Sequence, residues 1–80
     1  MMNLMHWRMV VAVADTGNIT RAAERVGMTQ SGASQALALI EETLGVQLFS
    51  RENRQTLPTA IGLPVIEQAR TMLSALQAIR

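Results

Sequence analysis

Between Thr29 and Gln35 the chain reads Thr-Gln-Ser-Gly-Ala-Ser-Gln, and Arg51 and Arg54 follow in a second polar stretch. Glutamine amides and small hydroxyls both donate and accept hydrogen bonds. Arginine presents a planar fork that matches a phosphate. Gathered near the start of one helix, such groups suit base edges, with the arginines suited to the nucleic-acid backbone. Nothing comparable points to catalysis. The chain has one His and no Cys, so neither a disulfide nor a thiolate metal site is possible, and no nucleophile stands beside a base. His6 has no second His or Cys nearby and reads as a surface or interface side chain rather than a metal ligand. Glu41 and Glu42 are adjacent, so on a helix they diverge by about 100° and read as a solvated helix end. No enzyme activity, metal or cofactor is expected.

The elements that must position these residues are helical. Ile19 to Leu44 reads as two helices around a tight corner. Thr20 is the expected N-cap of the first, and Ala22 and Ala23 are small enough to let another helix approach. Gly27 supplies the turn, Met28 plugs it, and Thr29 caps the second helix. There Ala33, Leu37, Ile40 and Leu44 recur as one apolar stripe, leaving Gln30, Ser31, Ser34 and Gln35 on the polar side. A plain helical corner in a small bundle has the same spacing, so the flanking elements must decide.

Upstream, Asn3 can cap a helix from Leu4 to Thr16, stopped by Gly17. Leu4, Trp7, Val10, Val11 and Ala14 fall on its expected core face, with Trp7 a packed anchor. Downstream of Gly45, Val46 to Phe49 reads as a short strand with Phe49 buried. Ser50 to Gln55 reads as a turn and Thr56 to Pro58 as a returning strand. Together they form a wing carrying Arg51 and Arg54.

From Thr59 onward the pattern is helical again. Val65, Ala69, Met72, Leu76 and Ile79 make a coiled-coil seam that Ile66 and Leu73 widen. This is the expected dimer interface, since a palindromic reader needs two copies. Pro64 fits a helix starting near Leu63, where it is tolerated, and conflicts with a start at Ala60. The sequence ends inside this amphipathic helix, as a fragment of something longer would.

Composition bounds these readings. With 80 residues and 49% hydrophobic content, one small globular domain is expected. The apolar run Met9 to Ala14 is too short for a signal-peptide core. No stretch approaches the roughly 18 apolar residues of a membrane span, so a cytoplasmic location is expected. Formal net charge is only +1, and all seven basic residues are Arg. None lies between Arg25 and Arg51. A helix there must rely on its N-terminal dipole and neutral hydrogen bonds. That near-neutrality also fits a second reading, a helical dimerisation or interaction module that does not read DNA. A flat salt dependence and no sequence preference would mark it.

The ordered set TRAAERVGMTQ, SQALALIEETLGVQLFSR and LPTAIG resembles the N-terminal DNA-binding domain of LysR-type transcriptional regulators, over essentially the whole chain. The resemblance implies a mainly α winged helix-turn-helix, with a three-helix core and a short two-stranded wing over 1–58. A linker and dimerisation helix would follow over 59–80. It implies binding of double-stranded DNA at inverted repeats as a homodimer, with the full-length protein a tetramer. A small-molecule effector would act only through a C-terminal domain beyond this chain. By matching positions, Gln30, Ser34 and Gln35 would contact bases, and Thr29, Ser31, Arg51 and Arg54 the backbone. The family often has Pro where Ser31 stands, Leu where Ala33 stands and Arg where Gln35 stands. Ala33 thins the core beneath the recognition helix. Gln35 moves the preferred base from guanine towards adenine, whose N6 and N7 suit an amide.

Overall fold

The computed structural model describes residues 3–79. The order is α1 (Leu4–Thr16), α2 (Ile19–Val26), α3 (Gln30–Leu44), β1 (Phe49–Glu52), β2 (Gln55–Pro58) and α4 (Gly62–Ala78). Arg80, expected at the end of the last helix, lies outside the described residues.

Each of the first three helices begins on a short polar side chain that accepts from an otherwise unpaired backbone N–H. Asn3 Oδ1 accepts from His6 N at 3.0 Å, Asn18 Oδ1 from Arg21 N at 2.9 Å, and Thr29 Oγ1 from Gly32 N at 2.9 Å. The cap of α2 is therefore Asn18, and Thr20 sits in the helix. Capping from Asn18 makes Ile19 the first helical residue, and its side chain is buried on the same face as Ala22 and Ala23. Gly27 closes the α2–α3 corner at φ +78°, a conformation costly for any residue with a Cβ.

Helix α1 is the central element, packing against α2, α3 and α4 and touching β2. Its buried residues are Met9, Val10, Ala12 and Val13, with Trp7 and Ala14 half-buried against the core. Leu4, expected inside, is 42% exposed. A helix with neighbours on several sides has no single apolar stripe, and the one-face reading missed Met9 and Val13 for that reason. On α3, Ala33, Leu37 and Ile40 are buried as expected and Ala36 joins them, whereas Leu44 is 38% exposed at the helix end.

Helix α4 starts at Gly62, so Pro64 occupies its tolerated first turn. Its cap comes from Thr59, whose Oγ1 accepts from Gly62 N at 2.9 Å. The same hydroxyl donates to the Gln47 carbonyl at 2.6 Å, and Thr59 N donates to the Leu48 carbonyl at 2.9 Å. The start of α4 is thus stitched to the segment leading into the wing. Contact is closest at Gly62, where an added Cβ would fall 2.2 Å from the Leu48 carbonyl oxygen.

Backbone cannot rotate away as a side chain can, so Gly62→Ala should push α4 off Leu48. The overpacking cost is about 1–3 kcal/mol, and each kcal/mol lowers Tm by roughly 4–8 °C in a domain this small. Thermal melting followed by circular dichroism checks it. An unchanged or higher Tm would show that the close seat is not maintained.

Candidate nucleic-acid interface

Helix α3 divides cleanly by burial. Ala33, Ala36, Leu37 and Ile40 face the core, while Ser31, Gln35, Ala38 and Glu42 are all exposed on the opposite side. At about 100° per residue these four form one outward stripe. Gln30 is exposed at the helix start, and Ser34 is half-buried. Ser34 lies about 60° round the helix from Ser31 and lines a cleft shared with the wing residues Ser50 and Arg51. The structure thus brings the expected polar residues to the exposed N-terminal half of α3, with Ser34 turned to one flank. Thr29 accepts from Gly32 N through its hydroxyl oxygen, which leaves its own proton free to donate. Ala38 and Glu42 share the outward stripe with Ser31 and Gln35; the expected apolar periodicity also leaves them there, although they carry no obvious chemistry.

The wing differs from its expected form. Its first strand begins at Phe49 and runs through Ser50 and Arg51 to Glu52, rather than spanning Val46 to Phe49. Pairing is antiparallel, with Phe49 opposite Pro58, Arg51 opposite Thr56 and Glu52 opposite Gln55. The loop is therefore only Asn53 and Arg54, at φ +51° and +66°. Positive φ at both central residues is what a type I′ turn requires, since its twist matches the strands. Asn tolerates this; Arg54 holds it at a steric cost of about 1–2 kcal/mol. The usual Asn-Gly signal is absent, so the sequence did not announce so tight a turn.

The wing's root is fixed by Glu41. Its Oε2 accepts from Leu48 N at 2.7 Å and Phe49 N at 3.2 Å. Glu41 is thus a bracket between α3 and β1 and not the solvated residue expected; Glu42 alone is free in that sense. The other strand is held where Thr56 N donates to the Gly17 carbonyl at 3.0 Å. The wing is therefore tied to α3 through Glu41 and to the turn between α1 and α2 through Gly17.

Charge is sorted rather than spread. Asp15 on α1 accepts from Arg70 of α4 at 2.6 Å and lies 3.9 Å from Arg25 of α2. The hydrogen bond to Asp15 is the main cause of a raised Arg70 pKa, opposed by desolvation. Both partners are substantially exposed, so the pair contributes at most about 1 kcal/mol. Among the described residues Arg21, Arg51 and Arg54 form no ion pair, leaving the two wing arginines available to an outside anion. No group of three or more potential metal ligands occurs among the described residues, and no helix there is long and apolar enough to cross a membrane.

The expected dimer seam is divided by the fold. Ala69 is 4% exposed against the rest of the chain and Val65 is half-buried against the core. Beyond them Met72 is 38% and Ile79 79% exposed, with Leu76 intermediate. Trp7 serves as the anchor expected of it, lining with Val65, Ala69 and Met72 an apolar notch between α1 and α4.

A three-helix core, a tight corner leading to an exposed polar helix, and a two-stranded wing define a winged helix-turn-helix of the DNA-binding class. Residues 4–63 match the family described as "Bacterial regulatory helix-turn-helix protein, lysR family", and the chain belongs to that family. It is 36% identical over 76 residues to the "Small neutral protease regulatory protein" of Streptomyces coelicolor, covering 95% of this chain and 24% of that protein. It is 42% identical over 76 residues to the "HTH-type transcriptional regulator GbpR" of Azospirillum brasilense, covering 95% of this chain and 22% of the relative. The chain thus spans about a quarter of the length of these relatives. Among solved structures it resembles the DNA complex of the CbnR DNA-binding domain (TM-score 0.88, 31% identity, 96% of this chain and 88% of that one). It also resembles the BenM DNA-binding domain on benA site 1 DNA (TM-score 0.90, 32% identity, 98% and 88%). These relationships place the chain among transcription-regulator domains and not among enzymes.

Glu41→Ala should leave the Leu48 and Phe49 N–H groups without their acceptor, at about 1–3 kcal/mol for each that stays dry. Amide hydrogen exchange should quicken at those two residues and Tm should fall, with Glu41→Gln intermediate. Unchanged protection in the Ala variant would remove Glu41 from the wing's support.

Proposed function

We propose that this chain is the operator-reading module of a transcriptional regulator, acting in the cytoplasm on double-stranded DNA. The observation that carries the reading is the exposed polar half of α3 set beside unpaired wing arginines. It occurs in a fold that matches domains solved on DNA. Residues 1–58 form the reading unit, and 59–80 the linker and dimerisation helix.

Gln30 and Gln35 reach base edges in the major groove, with Ser31 on the same outward side as Gln35. Thr29 donates from the helix N-terminus to the backbone, and Arg51 and Arg54 supply phosphate contacts from the wing. Two copies pair through the free end of α4, where Met72 and Ile79 are exposed and Leu76 half-buried. Leu4 and Met5 add exposed apolar surface at the start of α1. Their recognition helices then enter major grooves about one helical turn apart on an inverted repeat. A small-molecule effector acts through a further domain, where the full-length protein is a tetramer. The CbnR and BenM complexes supply the analogy for docking, and the uncovered apolar surface supplies the motive for pairing.

Selection from a randomised duplex pool tests this directly. Recovery of an inverted repeat with adenine-rich half-sites supports it. An unenriched pool together with a flat salt dependence favours the interaction-module reading. Gln35→Ala should relax the preference at one position of each half-site, a discrimination of about 1–3 kcal/mol.

Arg54 allows charge and strain to be separated. Arg54→Gly should relieve the turn and raise Tm, while weakening binding to all sequences alike. It should also reduce the slope of log affinity against log salt by about one. A glycine variant that binds as tightly as the parent, with the same slope, would remove Arg54 from the backbone contacts.

A further inference from the structure

All the ion pairs among the described residues meet at one place. Arg70 Nη2 of α4 donates to Asp15 Oδ1 of α1 at 2.6 Å, and the other carboxylate oxygen lies 3.9 Å from Arg25 Nη1 of α2. The remaining pair, Arg70 Nε with Glu67 Oε2 at 3.8 Å, stays within α4 and ties it to nothing else. Among the described residues Arg70 with Asp15 is also the one hydrogen bond between two side chains, and it spans 55 residues. Helix preference does not account for an acid at this position. Asp15 sits in the last turn of α1, where the negative end of the helix dipole disfavours a carboxylate. Nor does folding stability account for it. The side chains of Arg70 and Asp15 are 40% and 37% exposed, and such pairs stabilise a fold little. What the contact supplies is direction.

Helix α4 is seated at its start, with Gly62 against the Leu48 carbonyl and Thr59 bonded beside it. A single seat fixes where a helix starts better than where it points. Ile66 and Ala69 are buried along its inner side. The hydrophobic effect that holds them is non-directional, so it resists lifting α4 away more than swinging it across α1. Arg70 stands about 12 Å along the helix axis from Gly62, and its bond to Asp15 is the second fixed point. Past it Met72 is 38% and Ile79 79% exposed. Among the described residues it is thus the last polar tie before the half of α4 offered for pairing. Ala78 stands about 24 Å from Gly62, so a sideways displacement at Arg70 is doubled there. Twofold symmetry then applies it to both copies.

We propose that Asp15, held between Arg70 of α4 and Arg25 of α2, sets the direction in which α4 leaves the reading unit and thereby the half-site spacing that the dimer accepts. The proposal rests on the dimeric operator-reading function proposed above. Asp15 and Arg70 are positioning residues in it, acting through α4 and not on DNA. For a spacing one base pair too long or too short α4 must swing, and the bond between them must stretch or break in both copies. Removing the bond removes that penalty, so wrong spacings gain affinity and the right one does not lose it. Arg25, farther from the carboxylate, is the weaker partner.

The test measures binding of the 80-residue chain to duplexes carrying two copies of its selected half-site, with the spacer varied one base pair at a time. A duplex with a single half-site is the control. The parent should prefer one spacing. Asp15→Asn and Arg70→Gln should each reduce that preference by about three- to tenfold, since both copies lose one exposed pair. Binding to the single half-site should stay close to the parent's, and Arg70→Lys, which keeps the charge and a donor, should recover most of the preference. The first two substitutions change net charge in opposite directions. A general electrostatic effect would therefore move them apart, whereas loss of the shared bond moves them together. Opposite changes that track net charge, equal weakening at every spacing, or an unchanged preference in both variants would overturn the proposal. A parent that shows no spacing preference overturns the dimeric operator reading itself, and the proposal with it. That failure appears in the parent alone, which separates the two.

Discussion

Three elements converge on the backbone of one residue. Leu48 is fully buried, its N–H donates to Glu41 of α3, and its carbonyl accepts from Thr59. Against that carbonyl lies Gly62, the first residue of α4, closer than any side chain permits. Helix α3, the wing and α4 are thus referred to a single point, and none can tilt without disturbing the others. Charged acceptors make the stronger hydrogen bonds, and a carboxylate bound by two backbone donors holds its place even when half exposed. Neighbouring Phe49, buried and opposite Pro58, carries this rigidity into the hairpin. The polar groups of α3 and the arginines of the wing therefore reach any partner as a preformed pair, with little orientation left to be ordered on binding.

Low net charge is easier to reconcile with a polyanionic partner once its placement is known. Asp15 engages Arg70 and lies near Arg25 on the side of the molecule where α1, α2 and α4 meet. Helix α3 carries no cation at all, and its only exposed charge on the outward stripe is Glu42. Positive potential is left to the wing and to helix N-termini. In the proposed reading, a nearly neutral α3 would add little sequence-independent attraction, so discrimination would depend more on hydrogen-bond geometry at the bases. In that proposed arrangement affinity and specificity would come from different elements.

Much of this was legible in the sequence because the signals are local. Asn3, Thr29, Gly17, Gly27 and Gly45 mark helix ends through bonds spanning only a few residues. The choice between Asn18 and Thr20 as the α2 cap was not local. Both can cap, and the deciding factor is that Ile19 must lie inside the helix to be buried with Ala22 and Ala23. Glu41 gave no sign of its role, since its partners lie seven and eight residues away across the Gly45 turn. The tight wing was obscured because Arg54 occupies a conformation usually left to glycine. The core face of α1 was misjudged because amphipathic spacing assumes one buried side, and α1 has neighbours on three.

Helix α4 shows the limit of periodicity most clearly. Its seam from Val65 to Ile79 reads as one continuous surface, yet the fold assigns its two halves to different tasks. Near Gly62 the helix lies against α1, and there Ile66 and Ala69 are consumed by the chain's own core. Further along, the same spacing continues with less cover, and Met72 is 38% and Ile79 79% exposed. A heptad pattern encodes which side is apolar and not which neighbour covers it. Because the first half is anchored at Leu48 and the second is free, a second copy pairing there, as proposed, would inherit a fixed direction for α3. In that proposed dimer the distance between the two α3 helices would be set where α4 is seated, some way from any base they would touch.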